Sequence, residues 1–513
     1  MRLENSIKNI ITALLCNLIT IIISFISQNI LVNNLGIEYS GLNGVFTNII
    51  SMLSIVELGI GSQIIYHLYK PIAEKDTIKI KKLMNFYKKC YNTIAIIVVV
   101  VGLLIMPFIK FFIGNNSIPE NLYFIYILFI ADSAVSYLIA YKRSIIYANQ
   151  KNRYVDLIHI IYMLVMNSLQ ILVLFTIKNY VVYLLIKIVC RLFENILINY
   201  LANRMYPEIM KNNKEKLDDD VIDDIKKRVK ALIFHQIGGY LVLGTDSIII
   251  SKFLGLAISG IYASYTLIIN AANTLLSQIF SAVTSSVGEL LVEDNKEKSY
   301  EIYKKMTFLN FWIYGLASIG MAFTINPLVT LWLGTEYTFS NLTALIFAIN
   351  FYAQGMRRTM QTFASAGGIC YENRFVPIIE AVINLIVSIG LVLWIGLEGV
   401  IIGTIVSSLV LHFYGFPKYI YNPLFNRKKI DYILEFLKYT VIIAIAFILV
   451  FFAINSISIG NVLQKLIISI IICLVIVNLF LYILFRKTDE LKYYISIIKS
   501  ILNKKYIRRK LNE

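Results

Sequence analysis

The chain has 513 residues, of which 58% are hydrophobic and only 15% are charged, and its mean hydropathy is +0.71. Soluble domains carry about 25% charged residues, so this composition excludes an ordinary soluble fold. The formal net charge is +17, from 48 Lys and Arg against 31 Asp and Glu. In so apolar a chain this excess indicates membrane topology and attraction to anionic lipid, and no nucleic-acid partner is predicted.

Apolar stretches of about 20 residues recur along the chain, which is the length that an α-helix needs to cross a bilayer. The sequence therefore predicts an all-α polytopic membrane protein with about 14 transmembrane helices. The predicted spans are 10–34, 42–66, 91–113, 121–141, 154–177, 181–203, 231–253, 260–288, 306–330, 341–364, 375–395, 399–417, 432–455 and 462–485.

The connections between these spans alternate between long basic segments and short, nearly uncharged ones. Basic segments include residues 67–89, 141–153 and 204–230. Because positive loops stay in the cytoplasm, both termini and all long loops are predicted to lie there, in a multi-pass protein of the cytoplasmic membrane. The opposite side carries only four lysines, which are Lys110, Lys178, Lys252 and Lys465.

An internal repeat relates the first six spans to the next six. Residues 30–50 align with 249–269 at a constant offset, which brings Gly36 onto Gly255 and Gly41 onto Gly260. Because the offset covers an even number of helices, the two copies have the same orientation. Parallel six-helix repeats are typical of transporters in which two halves rock around a central site. Further pairs are Pro107 with Pro327, Gly114 with Gly334 and Arg153 with Arg374.

The repeat predicts five parts in the chain. They are an N-terminal six-helix bundle over 1–205, a cytoplasmic connector over 206–230, a C-terminal six-helix bundle over 231–421, two additional transmembrane helices over 432–485 and a basic cytoplasmic tail over 486–513.

Cysteines, histidines and glycine-rich loops indicate no cofactor. The five cysteines are scattered without a CxxC pair, and the four histidines are isolated, so neither a disulfide framework nor a metal site is predicted. The sequence has no GxxxxGK[ST] run and therefore no nucleotide motor of its own.

Three separated segments resemble the polysaccharide exporters, the Wzx-type flippases of O-antigen and capsule repeat units. They begin at Glu38 (EYSGLNGVFTNI, continuing into ELGIGSQ), at Thr245 (TDSIIISKFLGL) and at Gly355 (GMR). The third segment continues through Thr362, Phe363, Arg374, Pro377, Glu380 and Asn384. The resemblance covers essentially the whole chain.

This resemblance implies the MATE-like fold of the multidrug/oligosaccharidyl-lipid/polysaccharide exporter superfamily. It also implies a transporter and not an enzyme. The implied cargo is a short oligosaccharide on an undecaprenyl pyrophosphate carrier, moved from the cytoplasmic to the outer leaflet for surface polysaccharide synthesis. Polysaccharide polymerase and assembly proteins are the implied protein partners.

Ionisable residues inside spans are costly to place in lipid, so each is a candidate functional residue. The sixth span carries Lys187, Arg191 and Glu194, and their spacing places them on one helical face. The residues are predicted to line a cationic substrate cavity. The alternative is a structural pair of Arg191 with Glu194, with Lys187 reaching the membrane interface.

The tenth and eleventh spans carry a second group of polar candidates, Arg357, Arg358, Glu380 and Asn384. Arg357 is predicted to offer its planar guanidinium to phosphate or to pair with Glu380 as a gate. A static tie between helices is the alternative. Arg358 joins the candidate cavity cations, and Asn384 shares a helical face with Glu380.

Three further carboxylates, Glu57, Asp132 and Asp246, are candidates for gating or for coupling to a proton or cation. Glu57 lies within ELGIGS, whose small residues also favour close helix packing. Which of the three binds the coupling ion stays open.

The leading hypothesis is a flippase for lipid-linked oligosaccharides. The alternatives are a MATE-type cation-coupled drug antiporter or a peptidoglycan-precursor flippase, and from another class a membrane polymerase or ligase. A pump for cationic drugs should show a cavity dominated by carboxylates, whereas four of the candidates here are cations. Polymerases and ligases normally need a large outer loop, and every predicted outer loop is short.

Overall fold

A computed structural model describes residues 2–114, 116–210, 216–293, 295–369, 373–457 and 460–510, and within these ranges every regular element is a helix. Among these described residues, ten helical segments are long and apolar enough to cross a membrane. This confirms the all-helical, multi-pass prediction. The ten segments are Leu15–Leu35, Thr77–Phe112, Leu122–Ala148, Asn152–Thr176, Leu256–Val292, Lys296–Trp332, Val376–Ile395, Leu397–Phe425, Lys429–Asn455 and Val462–Phe485.

Four predicted spans, 42–66, 181–203, 231–253 and 341–364, are not among these ten segments. The helix over 181–203 carries three charges close together, which lowers its hydropathy. The segments 42–66 and 341–364 are each divided between two shorter helices. The count of fourteen therefore stays a prediction.

The chain forms two compact units. The first unit comprises Met1–Ala271 and Asn373–Gly403, and the second comprises Ala272–Glu372 and Thr404–Glu513. The units are defined by packing, whereas the predicted five-part organisation follows from the repeat, and that organisation stays a prediction.

The first unit contains the first eleven α-helices of the described residues. They are α1 (Arg2–Leu35), α2 (Ile37–Leu53), α3 (Ile55–Glu74), α4 (Thr77–Ile105), α5 (Ile109–Phe112), α6 (Leu122–Tyr137), α7 (Ala140–Ala148), α8 (Asn152–Thr176), α9 (Tyr180–Met205), α10 (Pro207–Met210) and α11 (Asp219–Leu254). The helix α11 is continuous, so the second half of the predicted connector is helical.

The remaining helices divide between the units. They are α12 (Leu256–Val292), α13 (Lys296–Trp332), α14 (Asn341–Gly355), α15 (Arg358–Ala366), α16 (Val376–Ile395), α17 (Leu397–Val410), α18 (Asn422–Phe425), α19 (Lys429–Asn455), α20 (Val462–Phe485) and α21 (Asp489–Lys510). Of these, α16 belongs to the first unit, and α12 and α17 each continue from the first unit into the second. Two π-helical segments, Leu411–Gly415 and Pro417–Tyr421, extend α17.

Glycines that the repeat aligns occupy matching structural positions within the first unit. Gly36 separates α1 from α2 with φ 104°, and Gly255 separates α11 from α12 with φ 93°, a conformation that favours glycine. A Cβ at Gly41 would overlap the carbonyl oxygen of Leu256, and a Cβ at Gly260 would overlap that of Ile37. The backbones of α2 and α12 therefore approach through small residues, as in close membrane helix pairs.

Two spans that the sequence predicts as continuous are broken at corresponding places in the two repeats. The span 121–141 divides into α6 and α7 at residues 138–139, and the span 341–364 divides into α14 and α15 at residues 356–357. Broken helices are tolerated at membrane depth where they are buried in protein or line a cavity. The sequence offers no Pro or Gly at the first break, so hydropathy alone could not reveal it.

The predicted span 42–66 is also wrong as a single helix, because α2 ends at Leu53 and α3 begins at Ile55. The Ser54 hydroxyl donates to the carbonyl oxygen of Ile50 over 2.9 Å. Such side-chain bonds to the preceding turn often bend helices. Glu57 therefore lies in the first turn of α3 and not in the middle of a span.

Candidate functional site

Four of the predicted site residues meet in the interior of the first unit. Asp132 on α6 lies 3.1 Å from the Lys187 ammonium and 3.5 Å from Nε of Arg191, both on α9. Arg191 in turn donates from Nη1 to Glu194 over 3.0 Å. The structural pair of Arg191 with Glu194 is therefore present, and Lys187 pairs with a carboxylate.

Glu194 is the centre of this group. Its side chain is 0% exposed, and its Oε2 lies 3.0 Å from Arg191 and 3.2 Å from Nη2 of Arg143. Its Oε1 lies 3.0 Å from Nδ1 of His159. We refer to these six side chains as the ionic network, which comprises Asp132, Arg143, His159, Lys187, Arg191 and Glu194.

Local sequence explains how α9 contributes three of these side chains. Asn179 is the N-cap of α9: its side chain accepts a hydrogen bond from the backbone N–H of Val182, and the helix begins at Tyr180. Lys187, Arg191 and Glu194 then recur one turn apart and share a face. The shared face follows from the helical spacing, and the predicted role of these residues in lining a substrate cavity stays a prediction.

Aromatic rings hold the two cations of α9 from the sides. The Arg191 guanidinium lies 4.5 Å from the ring centre of Tyr162, and the Lys187 ammonium lies 5.3 Å from that of Phe129. Cation–π contacts of this kind are stronger in a desolvated site. The rings orient the cations without neutralising their charge.

Arg143 and Lys142 show where the sequence-based topology was too simple. Both lie in the basic segment 141–153 that was assigned to a cytoplasmic loop, but the structure places them on α7. The Arg143 side chain is 22% exposed and reaches Glu194, and the buried Lys142 ammonium donates to Asn199 and Asn203. The break between α6 and α7 turns these cations inward, and loop charge counting could not detect it.

Glu57 lies at the edge of the same region. Its carboxylate is hydrogen-bonded to the Tyr137 hydroxyl and is electrostatically coupled to Arg143. Arg143 therefore acts on both Glu57 and Glu194. Arg143, which the sequence analysis did not select, therefore links Glu57 to the ionic network. Five of the ten predicted site residues are connected by these contacts: Glu57, Asp132, Lys187, Arg191 and Glu194.

The other three polar candidates of the first unit lie on α11 and α16. The Tyr262 hydroxyl donates to Asp246 over 3.3 Å, and the Thr245 hydroxyl donates to Asn384 over 3.3 Å. Asp246, Glu380 and Asn384 are all buried. A Cβ at Gly238 would overlap Pro377, so α11 and α16 approach closely, which brings these polar residues inside.

Arg357 and Arg358 belong to the second unit. Arg358 donates from Nη2 to Asn273 over 3.1 Å, and the Tyr314 hydroxyl donates to the same oxygen over 3.0 Å. Arg357 is 6% exposed and lies at the break before α15. Its pairing with Glu380, which belongs to the first unit, stays a prediction.

The second unit contains a carboxylate that the sequence analysis missed. Glu435 on α19 accepts from the Tyr303 hydroxyl over 3.1 Å, beside a cavity of about 10 Å³. The nearby Tyr432 hydroxyl bonds to Nδ1 of the fully buried His412 over 2.9 Å. Glu435 is a charged residue in the first turn of the predicted span 432–455, and that position could have identified it.

In the part of the chain that the structure describes, no group of three or more His, Cys, Asp or Glu side chains is placed to hold a metal ion. The polar groups instead form ion pairs and hydrogen bonds with each other. This arrangement can bind an anion by exchanging a carboxylate for it, as Glu194 already occupies a pocket of nitrogen donors.

Residues 6–285 match the model of the polysaccharide biosynthesis protein family, which is more than half of the chain. The chain belongs to this family. None of the curated proteins matches the sequence.

Solved structures share the fold of this polysaccharide biosynthesis protein at low sequence identity. The lipid II flippase MurJ in its inward closed conformation has a TM-score of 0.60 at 14% identity, covering 94% of this chain and 99% of its own. A variant of the Vibrio cholerae MATE transporter VcmN has a TM-score of 0.56 at 14% identity, covering 79% and 93%. An inward-facing multidrug resistance MATE family transporter has a TM-score of 0.54 at 13% identity, covering 76% and 92%. These likenesses confirm the predicted MATE-like fold.

The ionic network lies within the residues that the family model matches. All six network residues lie within the matched range 6–285 of this polysaccharide biosynthesis protein. The cations Arg357 and Arg358 and the carboxylate Glu435 lie beyond that range. The whole network therefore lies in the part of the chain that the family model matches.

Proposed function

We propose that this protein is a flippase that moves undecaprenyl-pyrophosphate-linked oligosaccharide repeat units across the cytoplasmic membrane by alternating access. The product would serve surface polysaccharide synthesis, such as capsule or O-antigen. The observation that carries this proposal is the ionic network, which joins α6, α7, α8 and α9 of a polysaccharide biosynthesis family member. The polymerase and assembly proteins of the same process are the proposed partners.

The chemistry of the network fits a pyrophosphate. A negatively charged head must leave water and cross a region of low dielectric constant, where an uncompensated charge is costly. Arg143, Arg191 and Lys187 supply three positive charges within one network. Their partners, Asp132 and Glu194, offset two of these three positive charges when no substrate is bound.

This balance suggests how substrate is taken up and released. A pyrophosphate that enters the network replaces the Glu194 carboxylate as the partner of Arg191 and Arg143. When the carboxylate returns, the substrate loses its partners and leaves. Arginine suits this exchange, because its planar guanidinium binds carboxylate and phosphate in the same bidentate geometry.

Export of surface glycan in a host that lacks its own flippase tests the proposal. Arg191→Ala should reduce surface glycan by about tenfold or more, as expected when a hydrogen bond between charged groups is lost. Arg191→Lys should retain more export, because the charge survives. Arg357→Ala is expected to act in the same direction.

The control for this test is Arg427→Ala, because Arg427 pairs with Glu297 on the protein surface. Its export should match wild type at equal protein level in the membrane. Full export by both Arg191→Ala and Arg357→Ala would contradict the assignment of these arginines to the substrate charge. Failure of the wild-type chain to restore any glycan would contradict the flippase proposal itself.

The proposed orientation has both termini in the cytoplasm, and it can be tested separately. Single cysteines at Asn116, Lys216 and Thr335 in a cysteine-free chain should label from outside, inside and outside. Labelling of position 216 from the outside would overturn the proposed topology.

A peptidoglycan-precursor flippase is the second candidate. The MurJ match covers 94% of this chain, whereas the two MATE matches cover 79% and 76%. Complementation of a strain depleted of its lipid II flippase distinguishes the two functions. Growth of that strain without restored surface glycan in the first host would favour the second candidate.

A further inference from the structure

A cavity of about 520 Å³ lies in the first unit, where the loop after α5 meets the end of α11. Its lining includes two lysines, Lys110 and Lys252, together with Gly114, Asn116 and Gly255. This volume is in the range of small-molecule sites. Both lysines are on the predicted outer side of the membrane, opposite the basic loops.

Aromatic rings, and no carboxylate of the described residues, lie beside the two lysines of this cavity. Within the described residues, no Asp or Glu oxygen lies within 4.0 Å of the Lys110 or Lys252 ammonium. The Lys252 ammonium lies 4.1 Å from the ring centre of Phe111, and the Lys110 ammonium lies 5.6 Å from that of Tyr123. The rings position both cations and leave their charge available to an anion.

The two parts of the cavity are held together by backbone contacts. The N–H of Gly114 donates to the carbonyl oxygen of Ser251 over 3.0 Å. A Cβ at Gly114 would overlap that oxygen, so only glycine permits this approach. The loop that follows Lys110 is thereby fixed against the residue that precedes Lys252, and the site is built by the fold.

The repeat indicates that the lysine pair is a specific feature of this cavity. In the aligned copy, Lys252 corresponds to Asn33 and Lys110 corresponds to Thr330. The helix ends and glycines are shared, but the positive charges are not. The lysines are therefore unnecessary for the repeated architecture itself.

The cavity is also close to the ionic network along one helix. Leu122, at the start of α6, lines the cavity, and Asp132 of the network lies on the same helix. Ten residues of α-helix span about 15 Å. An anion released from the network toward the outer side would meet these lysines next.

We propose that the cavity binds the phosphate group of a lipid in the outer leaflet, through Lys110 and Lys252. On the proposed flippase function, that lipid is the undecaprenyl pyrophosphate carrier at the moment it leaves the transport path. An anionic phospholipid headgroup offers the same chemistry and is the other source of the phosphate.

Binding to protein in phosphatidylcholine nanodiscs tests this site. The probes are undecaprenyl pyrophosphate, phosphatidylglycerol and, as the uncharged reference, undecaprenol. The test variant combines Lys110→Thr with Lys252→Asn, which introduces the residues that the chain carries in its other repeat. The matched control combines Lys178→Asn with Lys465→Thr, which removes the other two lysines of the predicted outer side.

We expect the test variant to bind undecaprenyl pyrophosphate about tenfold more weakly, as for the loss of hydrogen bonds to a charged group. Undecaprenol binding and the affinity of the control variant should stay unchanged. A selective loss for undecaprenyl pyrophosphate supports the carrier as the ligand, and a selective loss for phosphatidylglycerol supports a phospholipid. Equal affinity of test variant and wild type for both phosphate lipids, or equal loss in the control, would overturn the site.

Measuring surface glycan export alongside lipid binding distinguishes failure of the cavity proposal from failure of the flippase proposal. If the test variant binds normally and the wild-type chain restores glycan, the cavity proposal fails while the flippase proposal stands. If the wild-type chain restores no glycan but the test variant loses phosphatidylglycerol binding, the flippase proposal fails while the lipid-phosphate site stands.

Discussion

The interiors of the two units satisfy their buried polar groups in different ways. In the first unit, the Glu194 carboxylate is held by two arginines and a histidine. In the second unit, Glu435 accepts from the hydroxyl of Tyr303, and within the described residues no Lys or Arg nitrogen lies within 4.0 Å of it. The first interior matches charge with charge, whereas the second relies on tyrosine hydroxyls and ring packing.

Two tightly packed glycines from each unit differ in the same sense. Gly41 and Gly260 of the first unit face backbone atoms of the neighbouring helix. Gly315 and Gly355 of the second unit face the side chains of Ile443 and Tyr314. We interpret the backbone contacts of the first unit as a rigid frame, because backbone atoms cannot move without their helices. The side-chain contacts of the second unit can adjust by repacking.

Removing the buried carboxylates Glu194 and Glu435, one at a time, is the most direct test of the difference between the two interiors. Glu194→Ala leaves Arg143 and Arg191 without their shared partner, and breaking a buried ion pair from one side costs about 3–5 kcal/mol of stability. Glu435→Ala removes one hydrogen bond and should cost about 1 kcal/mol. Equilibrium unfolding in detergent measures both free energies.

The control for this pair is Glu74→Ala, because Glu74 pairs with Lys70 at 3.9 Å on an exposed face. Surface pairs contribute about 0–1 kcal/mol, so the loss should be small. Equal destabilisation by Glu194→Ala and Glu435→Ala would show that the two interiors do not differ as described.

Alanine substitutions at the close-packed glycines test the difference between the backbone contacts of the first unit and the side-chain contacts of the second. Gly41→Ala should cost about 2 kcal/mol, in the range of overpacking, because the carbonyl of Leu256 cannot move without its helix. Gly315→Ala should cost less, since it meets the Cδ1 and Cγ1 atoms of the Ile443 side chain, which can move more easily than a helix backbone. Thermal unfolding in detergent ranks the variants.

Gly44→Ala is the matched control on the same helix, because its Cβ would lie 3.7 Å from that of Ala263, an ordinary contact. Its stability should equal wild type within about 0.5 kcal/mol. A larger loss for Gly315→Ala than for Gly41→Ala would contradict the rigid-frame interpretation.

The smallest expected effects concern two tyrosine hydroxyls. Tyr303→Phe removes the donor to Glu435 and should cost about 1 kcal/mol. Tyr162→Phe should be nearly neutral, because the ring that contacts Arg191 remains and the hydroxyl has no hydrogen-bond partner among the described residues. If Tyr162→Phe is the more destabilising of the two, the hydroxyl and not the ring supports the network.

Much of the candidate site could be predicted from the chain itself. Lys187, Arg191 and Glu194 share a face because helical spacing requires it, and the structure places them together. Arg143 and His159 were not predicted as members, because each joins the network through Glu194 on another helix. Sequence spacing reports neighbours on one helix and carries no signal for partners on different helices.

The sequence by itself determined the membrane-protein class, the helical fold and the alignment of Gly36 with Gly255 and of Gly41 with Gly260. These features follow from local composition and from the period of the repeat, both of which can be read directly along the chain. Only the tertiary structure decided that α6 and α7 are separate and that Arg143 turns inward to Glu194. A buried charge is tolerated where a partner compensates it, and that partner is chosen by packing between helices.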